Sequence, residues 1–222
     1  MLGVAYIDYT YCIFNSQVET MATRTYTSLV RTAAAAEKRE RVIQAAITLL
    51  RESESAANFS LDTVAKIAGV TRLTVYNQFG SRRGLLEEAF DDIAVRGRLG
   101  RLKDVQTLAD PREGIARLVE ICCDFWSSDP ALARIYDAMV LDQEFEQSLI
   151  ERNERRRQLI QLLIQRMAPR AAKRGKLRDT VDLIFALTSM AMFRLLVAGR
   201  SPGEVSVLIQ SSVDAALDQL DR

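Results

Sequence analysis

Residues 60–90 read SLDTVAKIAGVTRLTVYNQFGSRRGLLEEAF, and their punctuation is that of short helices joined by tight turns. Ser60 and Thr71 each stand where a side-chain oxygen accepts a spare amide proton of a first helical turn. Gly69 supplies the turn between two crossing helices. In the first helix Val64, Ala65 and Ala68 share an inward face. In the second, Val75 and Phe79 lie four residues apart on one face, which leaves Arg72, Leu73, Thr74, Tyr76, Asn77 and Gln78 for the remainder. A short helix exposing that much hydrogen-bonding capacity suits a DNA major groove.

Charge points the same way. Lys66 to Arg83 contains four basic residues and no acid, whereas Glu87, Glu88, Asp91 and Asp92 follow at once. Arg82 and Arg83 fall in the first turn of the next helix, where the macrodipole disfavours cations by about 0.3–1 kcal/mol. A phosphate held by those guanidiniums and the exposed backbone amides accounts for the placement. A glycine turn and a solvated polar face occur in many small helical hairpins. The complete run IAGVTRLTVYNQFGSRRGLL is more specific. It closely resembles the recognition-helix signature of TetR-family regulators, in which an alanine-glycine turn precedes a serine or threonine, then a threonine, an apolar residue, a tyrosine and a phenylalanine at these spacings.

The resemblance is strong over residues of about 37 to 92, including the preceding helix with Ile43, Ala46 and Leu49. Beyond that it is architectural, and the ending MFRLLVAGRSPGEVSVLIQSSVDAAL is similar to the last two helices that build many of the family's dimer interfaces. It implies an all-α protein: a three-helix helix-turn-helix DNA-binding domain over 37–92, then a helical effector-binding and dimerisation domain over 93–222. It further implies a homodimer through the last two helices, about 176–220, bound to double-stranded operator DNA, usually as a repressor, and controlled by a small-molecule effector. Position by position, Arg72 and Thr74 correspond to base-reading sites, with Leu73 beside a thymine methyl. Thr71, Tyr76, Gln78, Ser81 and Arg82 correspond to backbone contacts. Asn77, near the rim of the exposed face, either reads a base or faces solvent. Gln78 stands where histidine is common, Arg82 where lysine is usual, and Leu73 where a small residue is frequent.

Elsewhere apolar residues also recur at helical spacing, as in Val42, Ala46, Leu49 with Ile43, Ile47, Leu50. About nine helices are expected, starting near residues 37, 60, 71, 81, 111, 130, 144, 176 and 202. Asp110-Pro111, Asp129-Pro130 and Ser201-Pro202 read as helix starts, the last with Glu204 as a capping box, and Pro169 as a stop. Gly97 to Asp110 is the longest irregular stretch and the expected domain boundary. Residues 1–36 are expected to be a disordered extension and arm. The first twenty carry three of the six tyrosines and Cys12, and suggest an extension before an alternative start at Met21. A membrane-touching or partner-binding arm is the other reading.

Thirty lysines and arginines against 29 acids leave a net charge of +1, so any nucleic-acid site must be locally basic. The absence of histidine removes the commonest general base and metal ligand. Cys12, Cys122 and Cys123 lack the spacing of a metal site, and read as buried thiols in a reducing cytosol. Neither cofactor nor metal nor enzymatic activity is expected. The apolar stretch Leu183 to Phe193 is bounded by Asp182 and Arg194 and is too short for a bilayer. With no recognisable secretory signal, the reading is cytoplasmic. In the second half Trp126, Tyr136, Met139, Phe145, Phe185 and Phe193 can line an effector cavity or fill it. The run Glu151 to Arg157, ERNERRR, reads as a solvated face. Two alternatives remain: a helical ligand-binding protein or enzyme with an incidental helix-turn-helix, and a DNA-binding protein whose second half only dimerises.

Overall fold

The computed structural model describes residues 25–53, 55–139, 143–167 and 174–220. Among these there are eleven α-helices and no strand. They are α1 (Thr25–Glu52), α2 (Leu61–Ala68), α3 (Arg72–Phe79), α4 (Arg82–Arg96), α5 (Leu102–Val105), α6 (Pro111–Ser128), α7 (Ala131–Met139), α8 (Gln143–Met167), α9 (Arg174–Leu187), α10 (Met190–Leu196) and α11 (Pro202–Asp218). Short 3-10 turns occupy Ala56–Asn58 and Leu99–Arg101.

The chain forms two compact units, Met1–Arg41 and Val42–Arg222. In the first, the helix runs from Thr25 rather than from near residue 37, so the expected arm is helical in its second part. Ala33 to Ala36 supply the strongest intrinsic helix formers, which need no burial to be helical, and Ala33 to Lys38 are exposed. Residues 1–24, with Cys12 and Met21, lie outside the described residues.

In the second unit Val42, Ala46, Ile47 and Leu50 are fully buried, as their spacing required. The core continues through Val64, Val75, Leu85 and Leu86 into α6, whose Ile115, Leu118, Cys122 and Phe125 pack against α8 and α11. Phe90 of α4 meets Phe125 of α6 edge to face at 5.7 Å. Beside it Arg51 donates to buried Asp129 at 2.5 and 3.0 Å, and Arg152 of α8 pairs with Asp91 of α4. These contacts tie α4 to the later helices.

Helix starts follow their punctuation. Asp110 accepts from the Arg112 amide at 2.8 Å, Asp129 from Ala131 at 2.9 Å, and Ser201 with Glu204 closes the capping box. Two features differ from expectation. The stretch 97–110 holds α5, whose Leu102 and Val105 are buried, and the Arg166 guanidinium donates to the carbonyls of Gln106, Leu108 and Ala109 at 2.8, 2.6 and 3.2 Å. The single helix expected from 176 breaks at Thr188–Ser189. Thr188 O there accepts from Trp126 Nε1 at 2.9 Å and Arg156 Nη1 at 2.8 Å, and Ser189 caps the new helix on the Met192 amide at 3.2 Å. Cys122 and Cys123 are buried free thiols. No helix among the described residues is long and apolar enough to cross a membrane.

Candidate nucleic-acid interface

Helices α2 to α4 are set by local bonds. Ser60 Oγ accepts from the Thr63 amide at 3.1 Å and Thr71 Oγ1 from Thr74 at 3.1 Å. Between them Gly69 adopts φ 66°, the left-handed conformation that ends α2 and starts the turn. Val75 and Phe79 anchor one side of α3, at 0% and 8% exposure. The opposite side therefore stands in solvent: Leu73 is 65% and Tyr76 56% exposed, and Arg72 and Asn77 are exposed beside them. Leu73 and Tyr76 are thus displayed among hydrogen-bonding groups rather than packed.

Ser81 Oγ accepts from the Gly84 amide at 3.0 Å, opening α4. Gly84 itself carries a constraint that composition and spacing did not signal. A Cβ there would lie 2.1 Å from the Phe79 carbonyl oxygen, so only glycine lets α4 start directly over the end of α3. The sole hint was a poor helix former in a first turn.

The expected contact residues divide by accessibility. Thr71, Arg72, Leu73, Tyr76, Asn77 and Ser81 are exposed, whereas Thr74, Gln78 and Arg82 are half-buried. Arg72 pairs with Asp62 at 3.1 Å, both largely exposed; such a pair contributes about 0–1 kcal/mol and is easily exchanged for a new partner. The Thr74 hydroxyl lies 2.8 Å from that of Thr71. Gln78 keeps Oε1 buried and without a hydrogen-bond partner, which turns its carboxamide oxygen towards protein. Arg82 Nε donates to Phe59 O at 3.2 Å, and the guanidinium lies 5.6 Å from the Phe59 ring centre. It thus ties the start of α4 to the residue before α2, which the sequence reading did not anticipate.

The aromatic residues of the second half are packed. Trp126 is 7% and Phe193 4% exposed, and Tyr136 stands edge-on to Trp126 at 5.6 Å. Burial pushes the Tyr136 phenol up to about 12. Phe185 lies under the guanidiniums of Arg156 and Arg157, 4.7 and 4.4 Å from its centre. The side chains of Met139 and Phe145 lie outside the described residues. A cavity of about 360 Å³ is lined by Val105, Leu108, Ala116 and charged neighbours. Another of about 480 Å³ lies between α8 and α9, against Ile164, Leu177 and Val181. Neither is lined by those aromatic residues. The run 151–157 is a solvated face only in part: Glu151, Glu154 and Arg155 are exposed, but Arg152 pairs with Asp91 and covers the Phe90 ring at 4.8 Å, Arg157 pairs with Asp182, and Arg156 is only 7% exposed. Arginine lays its stem on apolar surface and its flat head on aromatic rings, so a charged run on a helix need not face water.

No family model matches the chain. Over 113 residues, 50% of this chain and 52% of the relative, it is 34% identical to the HTH-type transcriptional regulator EthR of Mycolicibacterium smegmatis. The chain spans 52 to 62% of the length of the curated relatives it matches. Native NalD of Pseudomonas aeruginosa, the secondary repressor of the MexAB-OprM multidrug efflux pump, superposes at TM-score 0.60 and 19% identity, over 82% of this chain and 96% of that one. The TetR-family regulator PfmR of Thermus thermophilus does so at 0.60 and 17%, over 80% and 94%. These two solved structures share its fold.

Proposed function

We propose that this chain is a transcriptional regulator of the TetR type, as its likeness to EthR and its fold support, and that it acts as a dimeric repressor that binds a palindromic operator and is released by a small effector. The observation that carries this reading is the exposed face of α3, where Arg72, Leu73, Tyr76 and Asn77 stand out from a helix held by buried Val75 and Phe79. Arg72 is the base reader, donating two hydrogen bonds to a guanine edge. Leu73 meets a thymine methyl and Thr74 a neighbouring base edge, while Thr71, Tyr76, Ser81 and Arg82 hold phosphates. Residues 37–92 form the DNA-binding domain, and 93–222 the effector-binding and dimerising one.

Dimerisation through about 176–220 is supported by exposed Leu183, Leu195, Val207 and Leu208 on α9, α10 and α11. A twofold dimer brings two copies of α3 into successive major grooves, about 34–36 Å apart. The contacts of Phe90 with Phe125 and Asp91 with Arg152 give effector-linked movement in the second half a route to α4.

Selection of bound duplexes from a random library tests the function, with light scattering on the same preparation. The expected result is a twofold-symmetric site bound by a dimer. Failure to enrich any sequence, or a monomer that binds the operator equally well, overturns it.

A further inference from the structure

Two charged side chains are buried among the described residues, Asp129 and Arg156. Asp129 has Arg51. Arg156 forms no ion pair with a carboxylate of the described residues. Its Nη1 donates to Thr188 O at 2.8 Å, its guanidinium faces the Phe185 ring at 4.7 Å, and its Nε is buried with no hydrogen-bond partner.

Among the described residues, none beside it supplies a negative charge. The Cys122 thiol beside it is raised by complete burial in spite of the guanidinium, and the Tyr136 phenol is raised to about 12, so both are neutral at pH 7. Asp91 is paired with Arg152, Asp137 with Arg134 and Arg194, and Asp182 with Arg157 and Arg178. A buried, uncompensated guanidinium opposes folding. Its planar fork is suited to grip a carboxylate by two parallel hydrogen bonds. The surrounding walls are aromatic, with Trp126 bonded to the same Thr188 oxygen, Tyr136 against Trp126, and half-buried Phe185 lying over the cation.

We infer that Arg156 anchors the effector, and that the effector is a small organic carboxylate whose apolar body is admitted when the packed rings of Trp126, Tyr136 and Phe185 part. The inference rests on the proposed effector response and names the ligand class. Half-buried Phe185 lies over the guanidinium, and its rotation is what would admit the anion.

The competing role for Arg156 is structural, holding the Thr188 carbonyl at the break between α9 and α10. Melting of the full chain separates the two. An unsatisfied cation predicts that Arg156→Met melts above the wild type without ligand; a structural clamp predicts that it melts below. Arg156→Gln, which keeps a donor for Thr188 O, gives the same comparison in a more conservative variant. Benzoate and octanoate serve as probes, with benzamide and octanamide as uncharged counterparts. At a hundredfold excess over its dissociation constant a carboxylate should raise the wild-type Tm by roughly 5–10 °C, with no rise in Arg156→Met and none from the amides. Lower melting of both variants, or no effect of either carboxylate on the wild type, overturns the inference. Equal stabilisation by acids and amides also overturns it while leaving the effector reading intact. If all four compounds neither stabilise the wild type nor release operator DNA, the effector reading loses its support as well.

Discussion

Two groups of arginines stand on helices of this chain, and the protein uses them in opposite ways. Arg72, Arg82 and Arg83 lie at the starts of α3 and α4, with Arg72 68% exposed and held only by a surface pair to Asp62. Arg152, Arg156 and Arg157 lie mid-way along α8 and are drawn inward onto Phe90 and Phe185 and against Asp91 and Asp182. The same residue type thus serves an outward surface in one place and the interior in the other. The difference comes from what each side chain meets: solvent and exposed Asp62 for Arg72, aromatic rings and carboxylates for the arginines of α8, with Arg82 on Phe59 between the two. Removing an inward ionic contact should therefore cost folding, and removing an outward arginine should cost DNA recognition.

The largest effect expected is on the inward side. Asp129 is 5% exposed, accepts two bonds from Arg51 and caps the start of α7. Asp129→Ala leaves Arg51 without that partner and should cost about 3 kcal/mol, a fall in Tm of roughly 10 °C by thermal melting. Burial pushes the Asp129 carboxyl up, but the Arg51 bond and the Ala131 amide outweigh it and hold the group below its ordinary 3.8. A depressed carboxylate stabilises above its unfolded pKa and loses that contribution as pH falls through the folded one. The gap between wild type and Asp129→Ala should therefore be full at pH 7 and close below about pH 4. A gap independent of pH would show that packing rather than charge holds this contact.

Gly84→Ala sharpens the outward side. The added methyl meets the Phe79 carbonyl at 2.1 Å, so α4 must shift against α3 at a cost of about 1–3 kcal/mol. Operator affinity should fall as well, because the base-reading helix moves with its support. Stability and affinity both unchanged would mean that the α3–α4 junction yields freely and does not fix the reading face.

How far each region was legible follows from the range of its interactions. The reading head is built from contacts within a few residues: Ser60 on Thr63, Thr71 on Thr74, Ser81 on Gly84, and Val75 with Phe79 on one face. Caps and periodicity show such contacts in a sequence. Arg156 depends on Thr188 and Phe185, about thirty residues away in the chain, and within ERNERRR nothing distinguishes it from Arg155, which is exposed. The break between α9 and α10 was hidden for the same reason, since the Thr188 carbonyl is claimed by Trp126 and Arg156 from other helices. The inward pull on Arg82 comes from Phe59, across α2 and α3.

Arg72→Ala is expected to leave Tm nearly unchanged, because an exposed pair such as that with Asp62 contributes little. Its effect belongs to specificity: a lost bidentate guanine contact reduces the preference for operator over scrambled duplex by about 1–3 kcal/mol, roughly 5- to 150-fold. Competition binding at fixed salt measures this ratio. A full ratio retained by the variant would remove Arg72 from base reading.

Arg82 has the smallest expected effect and is the most informative, since it stands between the two kinds of arginine. Its Nε is bound to Phe59 O, yet it is only half-buried at a helix N-terminus among cations. As a phosphate ligand it should give, on Arg82→Ala, equal weakening of specific and nonspecific binding and a salt slope shallower by about one unit. As a tie to Phe59 it should also cost about 1 kcal/mol of stability. Arg82→Lys separates the two contributions, because it keeps the charge and loses the guanidinium that binds the carbonyl and stacks on the ring. The expected pattern is a restored salt slope with a Tm still below the wild type. A lowered Tm with an unchanged salt slope in Arg82→Ala would instead place Arg82 with the inward arginines, leaving the phosphate to the amides at the start of α4.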